Sequence, residues 1–382
     1  MRKYPHVAFA AVSFLLVTGL STGTARAEDE LPSGSDGPRL KPILVADGYW
    51  AFHDQAPLVR KATGLTTGSA HHAFSANLVA AGAKLEHSKL MGQVVVQFGD
   101  SVDNLYGTSS STRHVQLASV GYRLGSDFWV EAGVLPSQIG REDFVSARNW
   151  SYTRAFVSDA TPYFVTGARF GWRALPTLTL DVTVFNGWNA LAFQDTNDGK
   201  AGNLHVAWRP NAWLSVDNAI VVSRELSPSS PDDGKPLRLF EDLIVEVRPF
   251  KWLQVAIEAW GGREQGYVVR DAARAEVQKD PMYYGGAAWA RFAPSETTYV
   301  AVRGELFRDE YGILLGASDV KTVAPREVRG LTLTLGWQPH PAMLVRLEAL
   351  HRTSKEDWFR LQENGGFASS SSSLLASAVL SL

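Results

Sequence analysis

The sequence predicts an all-β chain, a transmembrane antiparallel β-barrel of about sixteen strands with short periplasmic turns and long extracellular loops. Three observations predict it. Apolar and polar residues alternate with period two along most of the 382 residues, the links between alternating runs are short and long by turns, and aromatic side chains gather where the runs end.

The chain opens with Arg2 and Lys3, continues through an apolar run from Val7 to Leu20 and reaches Ala25-Arg26-Ala27 before Glu28-Asp29-Glu30. This is the three-part order of a secretory signal peptide with an A-x-A cleavage site, and the run is shorter than the roughly 20 residues a spanning helix needs. Residues 1–27 are read as a signal peptide. Residues 28–42, which hold Pro32, Pro38 and Pro42, are read as a flexible periplasmic lead-in, and residues 43–382 as the barrel.

Setting aside Arg2, Lys3 and Arg26 takes the 37 basic residues to 34 against 39 acidic ones, a formal charge of −5. Such mild acidity argues against a nucleic-acid partner. The absence of cysteine excludes a disulfide framework and any cysteine-ligated zinc or iron–sulfur centre. No stretch beyond Ala27 approaches 18 consecutive apolar residues, so no helical span is expected, while 33 Gly, 18 Phe, 12 Trp and 11 Tyr suit strands and turns.

The alternation is plain in Leu178, Leu180, Val182 and Val184, which interleave with Thr179, Asp181 and Thr183, and in Leu331, Leu333 and Leu335, which interleave with Thr332 and Thr334. Charged residues take the polar positions elsewhere: Arg303 and Glu305 among Val300, Val302 and Leu306, or Arg346 and Glu348 among Met343, Val345 and Leu347. One face is greasy and the other wet. Sixteen such segments are read, near 43–53, 71–87, 91–101, 112–124, 127–140, 162–175, 177–190, 200–210, 212–225, 239–250, 252–265, 282–293, 297–309, 327–338, 342–354 and 371–382.

Tight links such as Gly125-Ser126, Leu175-Pro176, Arg209-Pro210-Asn211 and Pro339-His340-Pro341 alternate with long polar loops near 54–70, 102–111, 141–161, 191–199, 226–238, 266–281, 310–326 and 355–370. Trp129, Trp172, Trp208, Trp213, Trp252 and Trp337 stand beside the short links, and Trp50, Tyr106, Trp188, Trp260, Tyr283 and Tyr284 beside the long ones, as two interfacial girdles would. The last segment alternates up to Leu382, which suits closure against the first strand.

The order of several stretches resembles the β-barrel porin-2 (OmpL-like) family over nearly all of the mature chain. GVLPSQIGREDFVSARNWSYTRAF at 133–156 and TPYFVTGARFGW at 161–172 carry most of it, with support from DGYWAF at 47–52, FNGWN at 185–189 and VRGELFRDEYG at 302–312. Two departures are Leu382, where such barrels end in an aromatic residue, and His351-Arg352-Thr353-Ser354, where an acidic step is expected.

Charges in mid-strand point to the lumen in a barrel, because one facing lipid at the midplane costs about 2–4 kcal/mol. The pore-lining residues expected on this ground are Glu131, Asp181, Glu246, Arg248, Glu258, Arg303, Glu305, Arg346 and Glu348. Segment 141–161 is the longest loop without alternation of its own. It is expected to fold inward and narrow the bore, with Trp150 and Tyr152 packed on the wall and Arg141, Glu142, Arg148 and Arg154 facing the solute side.

No nucleophile elbow, H-E-x-x-H, P-loop or dinucleotide fingerprint is present, and His71-His72 lacks a third metal ligand nearby. A barrel of sixteen strands is wide enough for an aqueous channel. The expected function is passive diffusion of small hydrophilic solutes or ions across a bacterial outer membrane, with no catalysis and no cofactor. The alternative is a surface or adhesion barrel with an occluded lumen; an outer-membrane enzyme and a soluble β-sandwich or propeller are the remaining readings. Expected partners are outer-membrane lipid and lipopolysaccharide, the barrel-assembly machinery and the solutes themselves. The oligomeric state is left open, a trimer being the candidate.

Overall fold

The computed structural model describes residues 37–55, 61–108, 111–189, 199–225, 237–270, 276–309, 311–314, 327–361 and 366–382. The expected signal peptide, 1–27, lies outside them, as do residues 28–36 of the lead-in. Sixteen strands hydrogen-bond in chain order into one closed antiparallel barrel. They are β1 (Arg39–His53), β2 (Phe74–Glu86), β3 (Leu90–Phe98), β4 (Val115–Arg123), β5 (Phe128–Pro136), β6 (Phe164–Leu175), β7 (Leu178–Phe185), β8 (Ala201–Asn211), β9 (Leu214–Arg224), β10 (Leu237–Phe250), β11 (Leu253–Gln265), β12 (Met282–Phe292), β13 (Thr298–Asp309), β14 (Glu327–His340), β15 (Met343–Ser354) and β16 (Ser370–Ser381).

The connections at one end are two to five residues long and those at the other twelve to twenty-seven. Two of the long ones carry small ladders of their own, Tyr267–Arg270 with Glu276–Lys279 and Phe359–Arg360 with Phe367–Ala368, where the sequence reads as loop. β1 begins earlier than the expected boundary at 43, because Arg39 to Pro42 pair with Glu86 to Ala83. Pro42 is accommodated there: the Leu44 N–H donates to Leu382 O at 3.1 Å, so Pro42, two residues earlier, turns its hydrogen-free nitrogen past the end of β16.

Closure uses the whole chain end. β1 and β16 pair from Val45 with Ser381 to His53 with Ser373, and the Leu382 N–H donates to Leu44 O at 2.9 Å. A closed ring has no sheet edge to protect.

The period-two pattern sorts side chains as the sequence predicts. Leu331 is 58% exposed on the outer surface with Leu333 and Leu335, whereas Thr332 and Thr334 between them are fully buried inside. Phe128 stacks on Trp172 (5.8 Å between centroids) and Phe250 on Trp252 (4.9 Å) at the short-turn end, where Trp213 and Trp337 are also exposed.

The girdles are only partly as expected. Trp129 pairs with interior Gly171, so it turns inward. At the long-loop end Tyr284 faces outward, while Tyr106, Trp260 and Tyr283 are buried and Trp188 packs against Phe240 at 5.0 Å. Strand parity decides this: Tyr283 and Tyr284 are consecutive, and consecutive residues take opposite faces.

Candidate functional site

Segment 137–163 leaves β5, touches Asp47 on β1 and Asp242 on β10, and returns to β6. Those two strands stand nearly opposite in the ring, so a segment reaching both lies inside the barrel. Its neck closes where the Ser137 N–H donates to Tyr163 O at 2.9 Å. Gly140, with φ of 84°, gives the turn inward; its own N–H donates to Asp242 Oδ2 at 2.8 Å.

The loop has few regular elements, a helical turn at Ser146–Arg148 and a short helix at Phe156–Ala160. Its backbone groups therefore need partners from elsewhere, and the barrel wall supplies them. The Glu348 carboxylate accepts the N–H of Tyr152 at 2.6 Å and of Thr153 at 2.9 Å, as well as the hydroxyls of Thr153 and Thr334. Arg346 donates to the carbonyls of Ser146 (2.8 Å) and Ser151 (3.2 Å).

Arg303 donates to Thr153 O and to Glu142 at 3.2 Å, with Glu305 3.3 Å away. Glu305 in turn accepts the Phe156 N–H at 2.7 Å. Glu142 also receives the Ala155 N–H and, at 3.2 Å, the Trp289 indole N–H. Asp47 completes the ring of anchors by accepting the Tyr152 hydroxyl (3.1 Å), the Ser146 hydroxyl (2.7 Å) and the Asn77 amide (2.7 Å).

An apolar seam backs this polar lattice. Phe144 packs against Tyr163 and Phe164 at 5.3 and 5.4 Å, and Phe156, Val157 and Ala160 join Leu135, Val165 and Trp358 in one cluster. Burial raises the pKa of the Tyr152 and Tyr163 phenols well above 10, so both hydroxyls stay neutral.

The residues singled out from sequence fall into two groups. Arg303, Glu305, Arg346 and Glu348 face the interior but are sealed against the loop, Arg303 and Arg346 each at 1% exposure. Asp181 accepts the Gln138 amide at 2.7 Å and is likewise buried, and Glu258 is buried beneath Gly140. Glu131, bonded to Arg169 at 3.0 Å, and Glu246, bonded to Arg248 at 2.7 Å, stay partly exposed, and the Arg248 side chain is 38% exposed.

Within the loop the expected division of labour does not hold. Tyr152 is buried and Trp150 packs on the wall, but Arg141 and Arg154 are buried too, and Glu142 with them; Arg148, 2.8 Å from Asp143, is the one arginine of the three that faces water. Arg154 ties Phe144 O (2.9 Å) to Asp159 (3.0 Å), and Arg141 is held by the Trp150 ring and Glu246. A loop carboxylate and a loop carbonyl offer the buried Arg154 guanidinium better partners than a solute would.

Asp47, Asp242, Trp289 and Tyr299, whose hydroxyl donates to Trp150 O at 3.0 Å, were not singled out from the sequence. A lone carboxylate on the wet face of an otherwise apolar strand, such as Asp47 between Val45 and Tyr49, is the signal that could have found the first of them. Among the described residues no group of three or more His, Asp or Glu is placed to hold a metal ion.

A closed barrel of this strand number with a polar interior and one long loop folded inward defines an outer-membrane channel of the porin class. The family model described as "Putative beta-barrel porin-2, OmpL-like" matches residues 44–382, and the chain belongs to that family. The fold is shared with the outer membrane channel DcaP of Acinetobacter baumannii, at TM-score 0.60 and 9% identity over 91% of this chain and 99% of that one. Outer-membrane-expressed OmpT of Vibrio cholerae gives 0.58 and 9% over 91% and 99%. The anion-selective porin from Comamonas acidovorans gives 0.57 and 10% over 91% and 100%. Among curated proteins none matches the chain in sequence. Family and fold point to a channel rather than an enzyme.

Proposed function

We propose that this porin passes small hydrophilic solutes or ions by passive diffusion along the half of the lumen that the inward loop leaves hydrated. The observation that carries the reading is the asymmetry of the interior. On β13 and β15 Arg303, Glu305, Arg346 and Glu348 are spent on the loop, as is Asp47 on β1, whereas across from them, beside Asp181 and Asp242, which the loop also engages, Glu131, Arg209, Asp217, Glu246 and Arg248 keep partly exposed side chains. In this reading Glu131, Glu246 and Arg248 line the path. Asp181, Glu258, Arg303, Glu305, Arg346 and Glu348 stand behind the loop and hold the constriction in place. Paired charges along a narrow wet path set a transverse field that sorts ions without binding any of them tightly.

The same reading has residues 1–27 removed on export, the outward apolar band in contact with lipid and lipopolysaccharide, and the barrel-assembly machinery as the inserting partner. A trimer is the proposed assembly, supported by the trimer form described for the similar Vibrio cholerae OmpT.

Refolded protein in planar bilayers tests the reading. Ohmic conductance is expected, and deleting residues 143–158 is expected to raise it several-fold. A sealed bilayer at micromolar protein would favour the occluded surface barrel, and a conductance unchanged by the deletion would sink the constriction.

A further inference from the structure

The underside of the inward loop, toward the short-turn end, holds a cluster of guanidiniums. Arg291 on β12 lies directly opposite Gln254 on β11 and donates to its amide oxygen at 3.4 Å. Arg248 on β10 follows the Val247–Val255 pair, which brings it to the level of Gln254. Two guanidiniums thus share one row across three adjacent strands.

The next row up is Glu246, Ala256 and Trp289. Arg141 reaches from the loop to both ends of that row. It stands 3.6 Å from Glu246, with its guanidinium carbon 3.9 Å from the Trp150 ring centroid and 4.9 Å from that of Trp289. Two aromatic faces at this distance constrain the guanidinium plane. Its buried Nε has no hydrogen-bond partner.

The charges do not balance. Arg141 and Arg248 share Glu246, the latter at 2.7 Å, and Arg291 rests on the Tyr299 ring at 4.4 Å with no carboxylate against it among the described residues. Glu246 is the one carboxylate paired with this row, with Glu142 and Glu258 acting on Arg141 from the loop side. Burial lowers the Arg141 pKa, opposed by Glu246, Glu142 and Glu258, and Arg248 lowers it further, which places those two guanidiniums within electrostatic reach of each other. Around the cluster, Arg123 and Arg173 also face the interior near the short-turn ends of β4 and β6, and Arg209 does so at the end of β8 in an ion pair with Asp217.

We propose that Arg141, Arg248 and Arg291 form a binding station for divalent oxyanions, sulfate- or phosphate-like groups, at the periplasmic end of the lumen. Forked N–H donors match the oxygen edges of such anions, and Arg248 beside the carboxylate-free Arg291 sets two cations on one row, which favours a divalent over a monovalent ligand.

The inference deepens the channel reading, and a binding arm keeps the two separable. Folded protein in detergent is titrated with sodium sulfate by calorimetry, with sodium acetate at matched ionic strength for comparison. Chloride current is then recorded in planar bilayers with the same additions. Saturable sulfate binding and saturable block are expected, with acetate at least tenfold weaker.

The double variant R248Q/R291Q should weaken sulfate at least tenfold. Lys251→Gln, which removes a charge from the adjoining turn, should leave it within twofold. Arg291→Gln alone, which removes no hydrogen bond to the loop, should weaken sulfate about threefold, so a failure of the double variant to fold does not protect the idea. Sulfate binding equal in wild type and Arg291→Gln, equal to acetate, or lost equally in Lys251→Gln would overturn the station. Sulfate binding without any conductance would sink the channel reading and leave the station standing.

Discussion

The carboxylate of Glu348, on the penultimate strand, accepts the consecutive backbone N–H groups of Tyr152 and Thr153 at 2.6 and 2.9 Å, joining residues almost 200 positions apart in the middle of the barrel. One wall carboxylate thus satisfies two loop amides that no helix or strand serves, and Tyr152 passes the connection on to Asp47 through its hydroxyl.

Replacing Glu348 with alanine strands those amides and leaves the loop to its other anchors, Arg346, Arg303, Glu305, Asp47 and Asp242. Breaking a buried charged connection of this kind costs about 3–5 kcal/mol. Single-channel conductance of Glu348→Ala should rise and fluctuate between levels while the barrel itself stays folded. A steady wild-type conductance would show that the connection does not hold the loop.

Arg303 and Glu142, 3.2 Å apart and both buried, should be strongly coupled. Arg303→Met alone leaves Glu142 uncompensated and should lower the unfolding midpoint more than the double variant with Glu142→Gln does. A double-mutant cycle on urea unfolding, with a coupling energy of about 1–3 kcal/mol expected, is the check; additive effects would mean that each residue acts through other partners.

Burial raises the phenol pKa of Tyr152 and Tyr163 above the ordinary value of 10.0. A raised folded-state value means that the neutral phenol stabilises the docked loop below that pH, and that the advantage is lost as pH rises from the unfolded value toward the folded one. Conductance should therefore be flat through neutrality and increase only above about pH 10, with the onset moved upward in Tyr152→Phe. An onset unmoved in that variant would assign it elsewhere.

A methyl group at Gly171 would fall 2.0 Å from Trp129 Cε2, so the indole lies flat over the bare backbone of its cross-strand neighbour. Gly171→Ala should push Trp129 into the lumen and lower refolding yield, read by heat-modifiable gel mobility, with Trp129→Leu restoring the yield. Wild-type yield in Gly171→Ala would show that the strand yields instead.

Much of this is written locally. The inward face of Thr332 and Thr334 and the outward face of Leu331 and Leu333 follow from alternation alone, as do the alternating short and long connections and the closure at Leu382. The early start at Arg39 was hidden by Pro38 and Pro42, which read as loop until the free flank beside the end of β16 is seen. The inward placement of Tyr283 was hidden because two adjacent tyrosines carry no parity of their own.

The sequence by itself determined how many strands there are, which way each side chain turns and which end bears the loops, because a period of two is a property of neighbours along the chain. Only the tertiary structure decided which interior charges meet water and which meet protein. Arg303 and Arg248 look alike as wet-face arginines, yet one is sealed beneath Thr153, 150 residues away, and the other remains partly exposed. That difference depends on where a loop with no periodicity comes to rest, and its resting place is set by the wall carboxylates and guanidiniums that satisfy its backbone at once.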